Sequence, residues 1–423
     1  MTKQFDCLLL GGIDPVATRW RGESIEQADV AIVGAGIVGL ATAMALSKRP
    51  EVSVAVVEAE GHVAAHQSGH NSGVIHSGLY YTPGSSKAQL CATGREAMFR
   101  FCEKRGVPFR QCGKLVVAVN ERQRVQLDRI EQTGRANGLR GLRRVNGEQL
   151  REIEPHVSGL AGLFVAETGV VDFRKVALSM AEVVRGAGHR VRLGSRMIRA
   201  RQRGGTIVLE TTSGAIESKL LINCGGLQAD RVAVRCGVDP PLRIVPFRGE
   251  YWRLVPSRRD LVAGLIYPVP DPDLPFLGVH LTRSIDDEVN GGPNAVLAFS
   301  RRGYGRMSFS LRDTLASFHY RGFRKMARGH WRTAVSEWRR SLSKRIFARE
   351  VRTLVPAIRD EDLERGGVGI RAQAVGPTGA LVGDFCIEQA PRMIHVLNAP
   401  SPAATASIAI GEHIAALAQQ HLK

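Results

Sequence analysis

The chain has 423 residues, 44% of them hydrophobic, 6% aromatic and 23% charged. That is an ordinary globular composition, long enough at roughly 100–200 residues per domain for two or three domains. The formal charge of +18 comes mostly from arginines spread along the chain and not gathered beside stacking aromatics, which favours a basic surface over a dedicated nucleic-acid binder.

Residues 1–28 carry a lone Lys3, a short Cys7-Leu8-Leu9-Leu10 run and acids at Asp6 and Asp14. This is neither a secretory leader nor a transit peptide, and it reads as an N-terminal extension expected to be disordered. The seven cysteines are odd in number, form no C-x-x-C pair and stand among apolar neighbours. They read as reduced core thiols of a cytoplasmic protein, with no disulfide and no metal site.

The β-branched run 30–33 predicts a buried parallel strand, 37–48 a helix and 52–57 a second strand, together one βαβ unit. The apolar stretch 30–46 falls short of the ~20 residues of a membrane span. Gly34-x-Gly36-x-x-Gly39 sits where the strand ends and the helix begins. In that place Gly34 permits a tight turn, Gly36 a close approach of backbone to a pyrophosphate, and Gly39 close helix–strand packing. Ile37 and Val38 open the helix, whose free N–H groups face the phosphates. Glu58 lies 58 − 39 = 19 residues past the last glycine, near the ~20 expected of an acid that binds a ribose diol and disfavours a 2′-phosphate. The fingerprint alone leaves NAD and FAD open. The Gly-, Ser- and His-rich segment 61–73, with Ser68, Gly69, His70, Asn71, Ser72 and Gly73, lies where a flavin enzyme threads its chain beside the isoalloxazine.

Residues 114–155 predict a strand (115–119), a charged helix through Thr133 and a polar segment, an excursion into a second domain. A helix over 173–187 and strands at 190–193, 206–210 and 219–223 return to the nucleotide-binding pattern, and the last strand runs into Gly225-Gly226, backbone able to approach a ligand. After Pro240-Pro241, stretches 242–254 and 261–269 read as sheet strands. Residues 304–345 read as two basic amphipathic helices bearing Trp331 and Trp338, either a solvated face or a patch for a membrane surface. A strand at 393–397 and a helix over 403–419 close the chain, with Ser401 as its cap and Pro402 in its first turn. The predicted fold is α/β: a Rossmann-like FAD-binding domain assembled from 29–113, 156–240 and 365–423, and an α+β substrate domain with a mixed or antiparallel sheet from 114–155 and 241–364.

The run His66-Gln67-Ser68-Gly69-His70-Asn71-Ser72-Gly73-Val74-Ile75-His76-Ser77-Gly78-Leu79-Tyr80-Tyr81-Thr82-Pro83-Gly84-Ser85 resembles the L-2-hydroxyglutarate dehydrogenase/oxidase family, within the D-amino-acid-oxidase-like flavoproteins. So do Pro246-Phe247-Arg248-Gly249-Glu250-Tyr251, the stretch from Ile266-Tyr267-Pro268 through Pro275-Phe276-Leu277-Gly278-Val279-His280-Leu281-Thr282-Arg283, Gly292-Pro293-Asn294-Ala295-Val296, Arg371-Ala372-Gln373-Ala374 and Asn398-Ala399-Pro400-Ser401-Pro402-Ala403-Ala404-Thr405. The resemblance runs from about Asp29 to the C-terminus. It implies bound FAD, L-2-hydroxyglutarate as donor, 2-oxoglutarate as product, and a quinone or O2 as acceptor. The chain departs from the family in its extension and in Gly383 before Asp384-Phe385, where two acids often stand.

Oxidising a 2-hydroxy acid requires a base for the hydroxyl proton, a hydride acceptor and cations for the carboxylates. Flavin N5 is the acceptor, leaving base and clamp to the protein. A histidine suits the base, and His280, His76 and His70 are the candidates. Guanidinium forks suit a dicarboxylate, and Arg248, Arg283 and Arg371 lie inside the matched motifs. Tyr81 and Tyr267 are candidates for hydroxyl contacts. Ser401, Pro402, Ala403 and Ala404 open the last predicted helix, whose N–H groups would stabilise negative charge on the flavin's pyrimidine ring. Two other readings stay open: a different donor on the same fold, an amino acid or glycerol 3-phosphate, and a flavoprotein that binds nucleic acid.

Overall fold

A computed structural model describes residues 25–270 and 278–422. Most of the expected extension (1–24) and the Pro275-Phe276-Leu277 part of one motif lie outside the described residues.

The architecture is built on two large sheets. The Val-Ala-Ile-Val run lies within the strand Glu26–Val33 and is wholly buried. It pairs in parallel with Val54–Val57 on one side and Gly214–Asn223 on the other, inside an eight-stranded sheet. Parallel strands buried on both faces need helices as cover. Ile37–Leu46, Phe173–Gly186 and Ser407–Leu422 supply it on one face, in a core with Leu40, Val56, Met180 and Ile414. Gly411 is what lets the last helix lie on the first, since a Cβ there would stand 2.5 Å from the Ala41 carbonyl carbon.

The second sheet has nine strands and is mixed, as expected. Its longest ladder pairs Arg243–Leu254 with Leu363–Val375 in antiparallel register, placing Phe247 opposite Arg371. Lys114–Ala118 enters it parallel to Leu265–Pro268 and antiparallel to Ala161–Val165. These pairings draw 161–165 and 363–375 into this sheet, whereas the sequence pattern assigns the first wholly and the second mostly to the nucleotide-binding part. A three-stranded sheet of Val74–Ile75, Phe109–Arg110 and Gly169–Val171 completes the described strands.

Some elements differ from expectation. Residues 304–345 hold three helices, Leu311–His319, Arg321–Gly329 and Trp331–Leu342, and the start of a fourth, Lys344–Arg352; the first three are broken at Tyr320 and His330, whose backbones leave the helical region. The final helix starts at Ser407, and 401–406 form turns. Ser401 is thus no helix cap: the turn is tied to the first part of the chain instead, with Thr405 Oγ1 accepting from His76 N at 3.0 Å and Gly94 packed against Ala406. All six described cysteines are free, and no helix among the described residues is long and apolar enough to cross a membrane.

Candidate functional site

A cleft of about 1020 Å³ runs between the two sheets, at the top of the roughly 300–1,000 Å³ range of ligand sites. One end is the strand–turn–helix of the βαβ unit. Gly34 has φ +108°, and a Cβ on it would lie 2.5 Å from the Cys224 carbonyl oxygen. Gly39 packs directly on Gly34, and its Cβ would overlap the Gly34 carbonyl. Gly36, Ile37 and Val38 line the cleft, and the helix they open carries no side-chain cap from Gly36. Glu58 is buried, its Oε2 accepting from Ala35 N at 2.8 Å and its Oε1 from Glu60 N at 3.0 Å. Two backbone donors thus aim the carboxylate while leaving it lone pairs for a diol. Backbone that no Cβ would fit, a helix N-terminus and an aimed acid fit a dinucleotide diphosphate with an unphosphorylated ribose.

The loop after the second strand is shaped by its own side chains. Ser68 Oγ accepts from Ile37 N at 2.9 Å, and Asn71 Nδ2 donates to the carbonyls of Gln67 and Ser68 while its Oδ1 accepts from Gly73 N. Ser68, His70, Asn71 and Ser72 line the cleft. Gly69 and Gly73 do not: they face the protein, where a Cβ would meet the Ala64 carbonyl and, at 2.7 Å, the Val171 carbonyl. The His70 ring stacks on Tyr304 at 3.8 Å. Gly225 and Gly226 line the opposite wall, Gly225 N donating to Asn223 Oδ1. Ser401, Pro402, Ala403 and Ala404 line the far end, presenting a turn and not a helix N-terminus.

At that far end the second sheet contributes His280, Tyr267, Tyr251 and Arg371, and the segment after Ile75 contributes His76, Tyr80 and Tyr81. His280 is 8% exposed and stacks on Tyr267 at 4.2 Å. Its Nδ1 stands 3.0 Å from the Gly278 carbonyl, which can only accept. The ring proton is therefore assigned to Nδ1, and Nε2 keeps its lone pair. Burial, opposed in part by the Gly278 carbonyl and reinforced by Arg371 and Lys114, pushes the His280 imidazole down to about 4. Burial, with Lys114, His280 and Lys87 adding to it, pushes His76 down to about 3. Both rings are neutral at working pH.

Of the three expected arginines, only Arg371 reaches the cleft. Side chains on a strand alternate between faces. On Arg243–Leu254 it is Gly249 and Tyr251 that line the cleft, so Arg248 and Glu250 point to the other side. There Arg248 Nε pairs with Glu250 Oε1 at 2.8 Å and its Nη1 donates to the Arg306 carbonyl at 2.7 Å. Arg283 lies three residues past His280 and also faces away, donating to Asp287 Oδ1 at 2.9 Å and to the carbonyls of Arg259 and Val262. Both arginines are structural. The cations that sequence reasoning missed include Lys87, which lines the cleft and donates to the Gly383 carbonyl at 3.2 Å, the lining arginines Arg196, Arg231, Arg235, Arg301, Arg302 and Arg312, and Lys114, buried just behind the cleft. The signal for Lys114 was a charge at the head of an apolar strand, on the same face as Val116.

The family model for an FAD dependent oxidoreductase matches residues 29–417. The chain is 45% identical to an L-2-hydroxyglutarate dehydrogenase of Indibacter alkaliphilus, over 90% of this chain and 96% of that one. It is 43% identical to the Escherichia coli (strain K12) protein of the same name, over 92% and 93%, and 41% identical to the mitochondrial one of Homo sapiens, over 97% and 92%. Among solved structures it resembles a dithionite-reduced L-alpha-glycerophosphate oxidase from Mycoplasma pneumoniae with FAD bound, at TM-score 0.78, 22% identity, and coverage of 93% and 95%. A glycine oxidase from Geobacillus kaustophilus follows the same fold at TM-score 0.69 and 18% identity, with 93% and 95% covered.

Proposed function

The chain belongs to the FAD-dependent oxidoreductases, on the branch of the L-2-hydroxyglutarate dehydrogenases, and from that premise we propose that it oxidises L-2-hydroxyglutarate to 2-oxoglutarate. The observation that carries the reading is a buried, neutral His280 with a free Nε2, beside Arg371, at the end of a cleft whose other end is a dinucleotide cradle. Gly34, Gly36, Ile37 and Val38 would hold the FAD diphosphate and Glu58 its ribose. Ser68, His70, Asn71, Ser72, Gly225, Gly226 and the 401–404 turn would flank the rest. The chemistry supplied by bound FAD is two-electron acceptance at the substrate's α-carbon. Arg371 takes a substrate carboxylate in a charge-assisted contact. His280 Nε2 takes the hydroxyl proton as the C–O bond becomes a carbonyl, with His76 the second candidate base. Tyr251 and Tyr267 wall the substrate from water.

Anaerobic bleaching of the flavin spectrum by each enantiomer of 2-hydroxyglutarate tests this reading. Bleaching by the L form alone is the expected result. Bleaching by an amino acid or glycerol 3-phosphate, with neither enantiomer active, overturns it.

The electrons leave to a quinone or to O2, and the segment 307–342 supports the quinone. Leu311, Leu315 and Phe318 on one helix, and Trp331, Val335, Trp338 and Leu342 on another, are all exposed. Their spacing of three and four residues makes an apolar stripe on each helix. Exposed Arg312, Arg321, Arg324, Arg328, Arg332 and Arg339 accompany them, a pattern suited to an anionic membrane surface. The free thiols suit the cytoplasmic side. Co-sedimentation with anionic but not neutral vesicles, lost in Trp331→Ser/Trp338→Ser, is expected, as is faster reoxidation by a quinone than by air. Equal recovery with both vesicle types removes the membrane reading.

A further inference from the structure

Lys114 heads the strand Lys114–Ala118 and is 3% exposed. Its Nζ lies over the Tyr80 ring, 4.5 Å from the centroid, and 5.0 Å from that of Tyr267. Both tyrosines line the substrate end of the cleft, and Tyr267 also stacks on His280. The Tyr80 hydroxyl is buried with no hydrogen-bond partner among the described residues. No carboxylate among those residues pairs with Lys114; Cys91 is the one group whose charge would favour its ammonium. Burying an ammonium without a counter-ion is unfavourable, and so is burying a phenol hydroxyl without a partner. An anion in the cleft relieves both.

We propose that Lys114 is the second cation of the substrate site, a positioning residue that acts through Tyr80 and Tyr267 to select a dianionic over a monoanionic 2-hydroxy acid. This rests on the reaction proposed above. An ammonium against a ring face draws on the ring's negative quadrupole, which makes the phenol hydroxyl a stronger donor to a carboxylate. It also adds positive potential in a region of low dielectric, where a charge acts strongly. Arg371 then holds one carboxylate, and the Lys114–tyrosine wall recognises the other.

The groups facing Lys114 from its neighbours are Tyr80, Tyr267, Cys91, His76 and His280. Burial pulls the ammonium down to about 7. Its charge is present below that value and is lost as pH rises through it, so preference for the dianion weakens toward alkaline pH.

The test uses the FAD-loaded enzyme with Lys114→Met and Lys114→Arg, and compares L-2-hydroxyglutarate with its 5-amide, which has the same shape and one charge fewer. Lys114→Met is expected to raise KM for the dicarboxylate about tenfold at a pH near 6.5, an effect of the size that one desolvated cation–ring contact supplies. KM for the amide and kcat for both should change less than about threefold on the same reasoning. Lys114→Arg should recover most of the preference, and in the wild type the preference should shrink by a pH near 8.5. A parallel rise in both KM values, or none in either, overturns the proposal. Should Lys114→Met fail to fold, a wild-type preference that is flat with pH overturns it equally. If the wild type oxidises neither compound the reaction itself is wrong, and Lys114 is then judged by the same comparison with glutarate and its monoamide as ligands that perturb the flavin spectrum.

Discussion

Arg371 and Arg248 face each other's strands across one ladder, Arg371 next to the partner of Arg248, yet their replacement by methionine should have opposite signatures. Arg371 reaches the cleft; a charge-assisted contact to a carboxylate contributes about 3 kcal/mol at the upper end, so Arg371→Met should raise KM by ~10²-fold. Arg248 is 12% exposed and pairs with a Glu250 side chain that is 2% exposed. Removing one partner of a buried pair costs about 3–5 kcal/mol. The lower figure applies, because Ser341 Oγ still donates to Glu250 Oε2 at 2.6 Å and Arg306 stands 3.5 Å away. Arg248→Met should therefore lower Tm by several degrees while KM in the folded fraction stays within about threefold, the binding contacts being intact. Steady-state kinetics and thermal melts on both variants, with FAD content measured alongside, decide the matter. An Arg248 variant with normal Tm and a KM raised as far as that of Arg371→Met would refute the assignment of faces.

His280→Gln should lower kcat by ~10²–10⁴-fold with little change in KM, the usual range for a general base; retention of most activity would transfer the role to His76. In the wild type, kcat/KM should stay level only between about pH 6 and about 5, where the Lys114 ammonium is charged throughout, and fall toward the His280 value of about 4, whereas a fall centred near 6.5 would mean an exposed base. Buried His395 is held near 4 by burial. Its native pKa lies below the unfolded one, so the unfolded chain binds the extra proton and stability is lost as pH falls from about 6.5 toward 4, by up to about 1.4 kcal/mol per unit. His395→Gln should reduce the slope of that part of the pH–Tm curve; an unchanged slope would assign it to His76 and His280, which burial holds down in the same way. Glu58→Ala removes the acceptor of two backbone N–H groups and should release FAD on gel filtration, while full retention would deny Glu58 a part in the cradle.

The nucleotide end of the cleft was legible because its information is local. Gly34, Gly36, Gly39 and Glu58 act through one turn and one strand–helix–strand unit; Gly34 and Gly39 are demanded by backbone a few ångströms away, and a Cβ on Gly36 would meet Ser68 Oγ at 3.2 Å. The substrate end is not local. Which of Arg248, Arg283 and Arg371 enters the cleft depends on strand phase, and a shift of one residue reverses every side chain. A motif match supplies a position and not a face. His280 and Tyr251 could each have served as the reference for their own strand: once His280 is taken as inward, Arg283 is outward, and once Tyr251 is inward, so is Gly249, and Arg248 is not. The same alternation applied to 114–118 puts Lys114 on the face of Val116 and Ala118, both wholly buried. A lysine there is either paired or waiting for an anion. A strand predicted over 115–119 leaves Lys114 outside the alternation, whereas the strand Lys114–Ala118 includes it.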